Sequence, residues 1–317
     1  MLIKQFYQDY NMTNYQKMPL KTRIFDAWRN IFKLPVMENL LVKTGAGRKV
    51  NSVGYRLIPR VYSYAPGTWK EFDRDGVKMK LDISNFVDHA LYFGIGDPGF
   101  EKLKRMVKPD WVILDIGANI GATVLRFAQL APKGRVIGFE PNKKSFARLT
   151  ENIGLNNRNN ISVHNVGLGE KAEELRLFVV DETNPGMNRI LNEPDATANA
   201  LAFETIRVER LDDFIDIEKL EKADLVKIDV EGFEHNVLKG ASRLLSSFRP
   251  LLFIEIDDDN LLQNKSSAKE LISLLMDRGY KVFIADPWMA IDEKYDFTHC
   301  HFDILCVHSS RLTEVKL

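Results

Sequence analysis

Cysteine is scarce in this chain: there are two in 317 residues, Cys300 and Cys306. Two thiols cannot build a disulfide framework, and the opening stretch lacks the charged, apolar and small-residue order of a secretory signal, so a reducing, cytoplasmic setting is expected. An excess of either charge is also missing. With 44 Lys+Arg against 44 Asp+Glu the formal net charge is zero, which argues against a generic polyanion binder and gives no support to a nucleic-acid partner. No window approaches the roughly 18 to 20 uninterrupted apolar residues of a membrane-spanning helix. Internal repeats and low-complexity tracts are absent, which removes the solenoid and linker-rich classes.

What is present is an ordinary globular composition, 45% hydrophobic and 28% charged, enough for a sizeable core. Met1 to about Pro59 is rich in aromatic and basic residues. It holds one legible amphipathic helix, with Ile24, Phe25, Trp28, Ile31 and Phe32 on one face and Pro35 as its limit. That face, flanked by Lys21, Arg23, Arg29 and Lys33, suits packing against the rest of the chain, a dimer contact, or an anionic membrane surface. Tyr62 to Ile83 reads as a hairpin turning at Asp75-Gly76.

From Trp111 the pattern is apolar run, glycine turn and amphipathic helix, repeated, which predicts a parallel sheet with crossover helices. Strands are expected at Trp111–Asp115, Arg135–Glu140, Ile161–Asn165, Ala223–Asp229 and Leu251–Glu255, and helices at Gly121–Leu130, Lys143–Asn156, Glu234–Phe248 and Ser267–Arg278. Glu174–Val180 and Thr205–Arg210 read as extra strands around a polar excursion, Asp181 to Asn199, a candidate substrate loop. Lys281–Ala285 and Phe302–His308 supply a terminal strand pair. The expected organisation is an N-terminal helical and hairpin extension, residues 1–85, followed by an α/β domain, residues 86–317.

The sharpest local signal is Leu114-Asp-Ile-Gly-Ala-Asn-Ile-Gly121, where a buried strand turns into a helix. Glycines there let backbone N–H groups and the helix start approach a ligand. Glu140 stands at the end of the next strand, where a carboxylate can accept both hydroxyls of a ribose. Adenosine binding is the common reading. A nicotinamide enzyme would want G-x-G-x-x-G, whereas the residue two after Gly117 is Asn119, so a cofactor without a pyrophosphate fits better.

These residues resemble the FkbM-type S-adenosylmethionine-dependent methyltransferases. The resemblance rests on Asp115–Gly121, on Gly138-Phe-Glu-Pro-Asn142, on the asparagine-rich helix end Asn152 to Asn157, on Leu211-Asp-Asp-Phe214, on Val226-Lys-Ile-Asp-Val-Glu-Gly-Phe-Glu234 and on Val237-Leu-Lys-Gly-Ala241. It spans roughly Phe86 to His308. It implies a class I methyltransferase, Rossmann-like fold: a mostly parallel seven-stranded sheet, last strand antiparallel, helices on both faces. It also implies S-adenosyl-L-methionine as cofactor and, from the hydroxyls of macrolides and saccharides that the family methylates, O-methylation of a sugar, glycan or other polyhydroxylated metabolite.

Carried over by position, Gly117, Ala118, Asn119 and Gly121 form the cofactor turn, Asp115 supports its amino-acid end, and Glu140 binds the ribose. Pro141 and Asn142 shape the adenine side, which Asn165 and Val166 border. Methyl transfer to an alcohol needs alignment at the sulfonium methyl and removal of the hydroxyl proton. Asp229, Glu231 and His235 are the candidate bases, with Asp229 and Glu231 leading. Two other readings stay open: an NAD(P)-dependent oxidoreductase and a non-catalytic adenosine-binding scaffold.

No metal is expected. His299, Cys300, His301, Cys306 and His308 fall on both faces of a terminal strand rather than on one. Asp257-Asp-Asp259 reads as a solvated loop run. His89, Tyr92, Phe93, Phe100 and Glu101, upstream of the first strand, fit either a cap over the cofactor pocket or ordinary core.

Overall fold

The computed structural model describes residues 20–45, 49, 52–179, 188–190 and 202–314. Two compact units divide the chain, Met1–Glu101 and Lys102–Leu317. The excursion Asp181–Asn199 lies outside the described residues except for 188–190.

In the first unit the helix Leu20–Arg29 runs into a 3₁₀ turn, Asn30–Lys33, and a second helix, Pro35–Lys43. Pro35 therefore starts a helix as well as limiting one; at the first helical position its missing N–H costs nothing. The hairpin is present as β1 (Trp69–Arg74) and β2 (Val77–Asp82). Asp75 and Gly76 both take positive φ, 53° and 75°, the pattern of a turn whose twist matches its strands. Val77, Met79 and Leu81 alternate inward along β2. The helix Phe86–Phe93 is capped by the Asn85 side chain and ended by Gly94 in the left-handed region. His89, Tyr92 and Phe93 on it are buried, and the Tyr92 hydroxyl donates to Glu38 Oε1 at 2.9 Å. Within this unit they are core.

The second unit carries β3 (Val112–Ile116), β4 (Arg135–Phe139), β5 (Ile161–His164), β6 (Gly167–Gly169), β7 (Glu173–Val179), β8 (Arg189–Ile190), β9 (Ala202–Arg210), β10 (Leu225–Ile228), β11 (Leu251–Asp257), β12 (Tyr280–Ile284), β13 (Met289–Ile291) and β14 (His301–His308). The large sheet runs β13-β12-β14-β11-β10-β3-β4-β5. Strands β5, β4, β3, β10 and β11 are mutually parallel, and β14 lies antiparallel between β11 and β12. This is the expected seven-stranded arrangement with one short antiparallel strand, β13, added at the edge. The central strands are apolar because both faces are covered; Leu225, Val226 and Ile228 are each at most 1% exposed.

One expectation is corrected. Glu234–Phe248 is two helices, Glu234–Lys239 and Ser242–Ser247. Gly240 separates them, and the position admits only glycine because a Cβ there would lie 1.9 Å from the Gly169 carbonyl oxygen. The two extra strands expected around the excursion are present as β7 and β9, and they belong to a separate four-stranded sheet, β6-β9-β7-β8.

Strand order fixes the site. The chain starts at β3, steps outward to β4 and β5, then returns to β10 on the other side of β3. Such a reversal opens a crevice at the carboxyl ends of the two strands on either side of it, and here those are β3 and β10.

Candidate active site

In register, Lys227 of β10 sits beside Asp115 of β3, and Ile228 beside Ile116. One step further the chain leaves both strands, which places Gly117 against Asp229. Gly117 has φ of 83°, and a Cβ on it would lie 1.8 Å from the Asp229 carbonyl oxygen. Only glycine lets the turn close on the neighbouring strand so tightly.

The turn is held from the β4 side. Gly117 N and Ala118 N both donate to the Phe139 carbonyl, at 3.0 and 2.9 Å, and Asn119 N donates to Glu140 Oε2 at 2.9 Å. Those N–H groups, expected to face a ligand, are already used within the fold. Two acceptors remain at the turn. The buried Asn119 Oδ1 has no hydrogen-bond partner, and Glu140, whose Oε1 accepts from Asn142 N at 2.9 Å, keeps a second lone pair on each oxygen. Burial pushes the Glu140 carboxyl up to about 7 against the pull of those two N–H donors. An unpaired buried acceptor and a carboxylate at the end of the second strand fit the amino and hydroxyl donors of an adenosyl amino acid.

The other expected cofactor residues shape this edge. Asn142 caps the helix Lys143–Gly154, accepting from Ser145 N. Asn165 Nδ2 donates to the Glu140 and Pro141 carbonyls at 2.8 and 3.0 Å, tying the end of β5 to the end of β4. Val166 is 1% exposed and belongs to the core. Gly121, with φ of 93°, starts the helix Ala122–Leu130. Asp115 is fully buried beneath the turn, where Thr123 Oγ1 donates to it; it supports the turn from below.

A charged group the sequence reading left without a role organises the crevice. Lys227, 6% exposed inside an apolar strand, places Nζ 3.3 Å from Asp115 Oδ1 and 3.2 Å from Asp229 Oδ2, and 3.4 Å from the Gly117 carbonyl. Burial alone would lower its pKa, but the two carboxylates raise it, so it stays an ammonium. Burial likewise raises Asp229, yet Lys227 and a hydrogen bond with Glu255 bring its carboxyl below the ordinary range. Glu255, at the next strand, is pushed well up by burial and by the charges of Asp229 and Glu231. Of the two, Asp229 is favoured as the ionised partner and Glu255 as the one that keeps a proton. Glu231, with φ of 55°, is raised to about 8 by burial, Asp229 and Glu234, and accepts from Asn260 Nδ2.

Oxygens of Asp229, Glu231 and Glu255 lie within 4.8 Å of one another. Behind Glu255 stands His301, its Nε2 3.5 Å from Glu255 Oε1 and its Nδ1 2.9 Å from Asp257 Oδ2. His235 is elsewhere: it bonds Ser266, and its charged neighbours are Lys239, Glu270, Glu170 and Arg278. Asp257–Asp259 is no solvated run, because Asp257 and Asp258 are buried as acceptors for Asn260 N and Ala268 N. Of the histidines and cysteines near the C-terminus, His299 pairs with Asp259 and Cys306 is buried in the core.

The sheet order, the glycine turn at the reversal and the acidic end of the second strand define a class I methyltransferase. The model of the methyltransferase FkbM domain family matches residues 115–282, and the chain belongs to that family. 2-O-methyltransferase NoeI of Sinorhizobium fredii is 29% identical over 178 residues, 53% of this chain and 72% of its own. Hexuronic acid methyltransferase AglP of Haloferax volcanii is 27% identical over 187 residues, 57% of this chain and 73% of its own. Methyltransferase 1 of Beauveria bassiana is 28% identical over 200 residues, 58% of this chain and 78% of its own. The protein is an S-adenosylmethionine-dependent methyltransferase, and the oxidoreductase and scaffold readings fall.

Proposed function

We propose that this protein transfers a methyl group to a hydroxyl oxygen of a sugar or glycan. The carrying observation is the carboxylate pair at the crevice: Asp229, its side chain 40% exposed and 3.2 Å from the Lys227 ammonium, hydrogen-bonded to Glu255. A neutral hydroxyl must lose its proton as it attacks, and an ionised, partly open carboxylate beside the glycine turn can take it. The names of two relatives, a 2-O-methyltransferase and a hexuronic acid methyltransferase, support a carbohydrate oxygen as acceptor.

S-adenosylmethionine, when bound, supplies an electrophilic methyl on a sulfonium. Asn119 and Glu140 would hold its amino-acid and ribose parts. Asp229 would orient the acceptor hydroxyl toward that methyl, because alignment supplies much of the advantage of a group transfer. The hydroxyl proton would move to Asp229 as the oxygen takes the methyl group, and the donor would be left as a neutral thioether. Lys227 keeps Asp229 ionised beforehand. Glu231, about 8 and so mostly protonated at neutral pH, donates a hydrogen bond to an acceptor oxygen.

The test is incubation of the full chain with methyl-labelled donor and a panel of monosaccharides, uronic acids and oligosaccharides, with the product located by NMR. A methyl ether on a sugar carbon is expected. A methyl ester, an N-methyl product, or no transfer to any sugar while another class of acceptor is methylated would overturn the proposal.

A further inference from the structure

The helix Leu20–Arg29 is mounted with its polar side inward. Asp26 is 5% exposed; it accepts from Arg29 Nη1 at 2.6 Å and from the Tyr62 hydroxyl, and lies 3.6 Å from Arg60 Nε. Arg29 Nε donates to the Arg56 carbonyl at 2.7 Å, and Lys33 donates to the Ser63 carbonyl. These contacts all lie within the first unit and fix which way the helix faces. At 100° per residue, Ile24 and Trp28 project opposite Asp26, and they are outward, 60% and 46% exposed, beside Phe25 at 62%. Ile31, Leu34 and Leu40 continue the apolar surface on the turn and the helix that follow. An ordinary amphipathic helix buries such a face. Contiguous exposed apolar surface on this scale marks an interaction site.

Charge decides among partners. The acidic residues of 20–45 are Asp26 and Glu38, and Glu38, 4% exposed, is turned in to Lys70 and Tyr92. Among the described residues of this segment, Lys21 and Lys43 are exposed cations. A surface of large apolar groups, an interfacial tryptophan and cations, with its carboxylates withdrawn, matches a bilayer carrying anionic headgroups.

We propose that residues 20–43 form a peripheral docking surface for an anionic membrane. This goes beyond the reaction and does not depend on the acceptor. The test is co-sedimentation of the full chain with phosphatidylcholine vesicles with and without phosphatidylglycerol, together with tryptophan fluorescence. Binding to the anionic vesicles, a blue shift on binding and release by salt are expected. The double variant Phe25→Glu/Trp28→Glu should bind at least about tenfold more weakly, and Lys21→Glu/Lys43→Glu several-fold more weakly. Lys21, Phe25 and Lys43 are exposed and Trp28 meets Phe32 edge-on, so thermal melting should fall only slightly; should the first variant fail to fold, Trp28→Ala reads the same loss and should abolish the blue shift. Absent binding, equal binding to uncharged vesicles, or a wild-type dimer that Phe25→Glu/Trp28→Glu converts to monomer without any vesicle binding by either form overturns the proposal, the last by assigning the face to a second copy.

Discussion

The Lys227 ammonium lies 3.2 Å from the Asp229 carboxylate, and the same nitrogen lies 3.3 Å from Asp115 one strand away. A buried cation between two carboxylates joins the floor of the glycine turn to the carboxylate that faces the acceptor. Removing it leaves Asp115 buried with its charge uncompensated, which costs about 3–5 kcal/mol. Lys227→Met is therefore expected to melt well below wild type. In the folded fraction Asp229 loses its nearest cation, so the acid limb of the pH–rate profile should move to higher pH. A profile that does not move would detach Lys227 from the chemistry.

Glu140 sits near its midpoint at neutral pH, at about 7. Ribose hydroxyls donating to it favour the ionised form, so binding of S-adenosylhomocysteine at pH 7 should release roughly half a proton. Calorimetry in buffers of different ionisation enthalpy measures this, and Glu140→Gln should abolish the release and weaken binding. For the free protein the sign is the reverse of a salt-bridged acid. With the folded value raised above 4.5, the stability this group contributes is complete below pH 4.5 and lost as pH rises through 7.

Gly117→Ala should be far worse than a typical glycine replacement. The new Cβ meets the Asp229 carbonyl oxygen at 1.8 Å, and φ is 83°. Strain of that kind costs about 1–3 kcal/mol before the strands are pushed apart, and moving them opens the crevice. Loss of S-adenosylhomocysteine binding beyond the loss of melting temperature is the expected result.

The grouping of Asp229, Glu231 and Glu255 within 4.8 Å suits a hard divalent cation by donor type. Lys227 already supplies a positive charge against Asp229, and a proton joins Asp229 to Glu255. Turnover is therefore expected to survive exhaustive chelation. Loss of activity restored by magnesium or manganese would reassign the three carboxylates as metal ligands.

His235→Asn is expected to leave the pH–rate profile unchanged. It removes the bond to Ser266 and should cost about 1 kcal/mol of stability, because none of the groups around His235 belongs to the crevice.

The periodicity of apolar runs from Trp111 onward carries the sheet and its helices, since a strand covered on both faces has little other way to read. What it does not carry is pairing. The break after Lys239 falls at Gly240, a glycine that local sequence shows, but its need for glycine comes from the Gly169 carbonyl, distant in sequence. Glu255 meets Asp229 because β10 and β11 pair in parallel with Ile228 beside Ile254, and His301 follows because β14 pairs antiparallel to β11 with Asp257 opposite it. Lys227 is different: a lysine within Val226-Lys-Ile-Asp, a run otherwise fit for burial, demands carboxylates nearby, and Asp115 and Asp229 were already in view. The use of the turn's N–H groups by Phe139 depends on where β4 ends, which no spacing encodes. At Leu20–Arg29 the amphipathic pattern is plain, but Arg29, Arg60 and Tyr62 hold Asp26 inward and so turn the apolar face out.

The account rests on Asp229 receiving the proton of a sugar hydroxyl, and the most direct measurement compares wild type with Asp229→Asn on a sugar acceptor identified with labelled donor. Turnover in the variant should fall about 10²–10⁴-fold, with S-adenosylhomocysteine affinity changed little. Methylation at the wild-type rate by Asp229→Asn would contradict it.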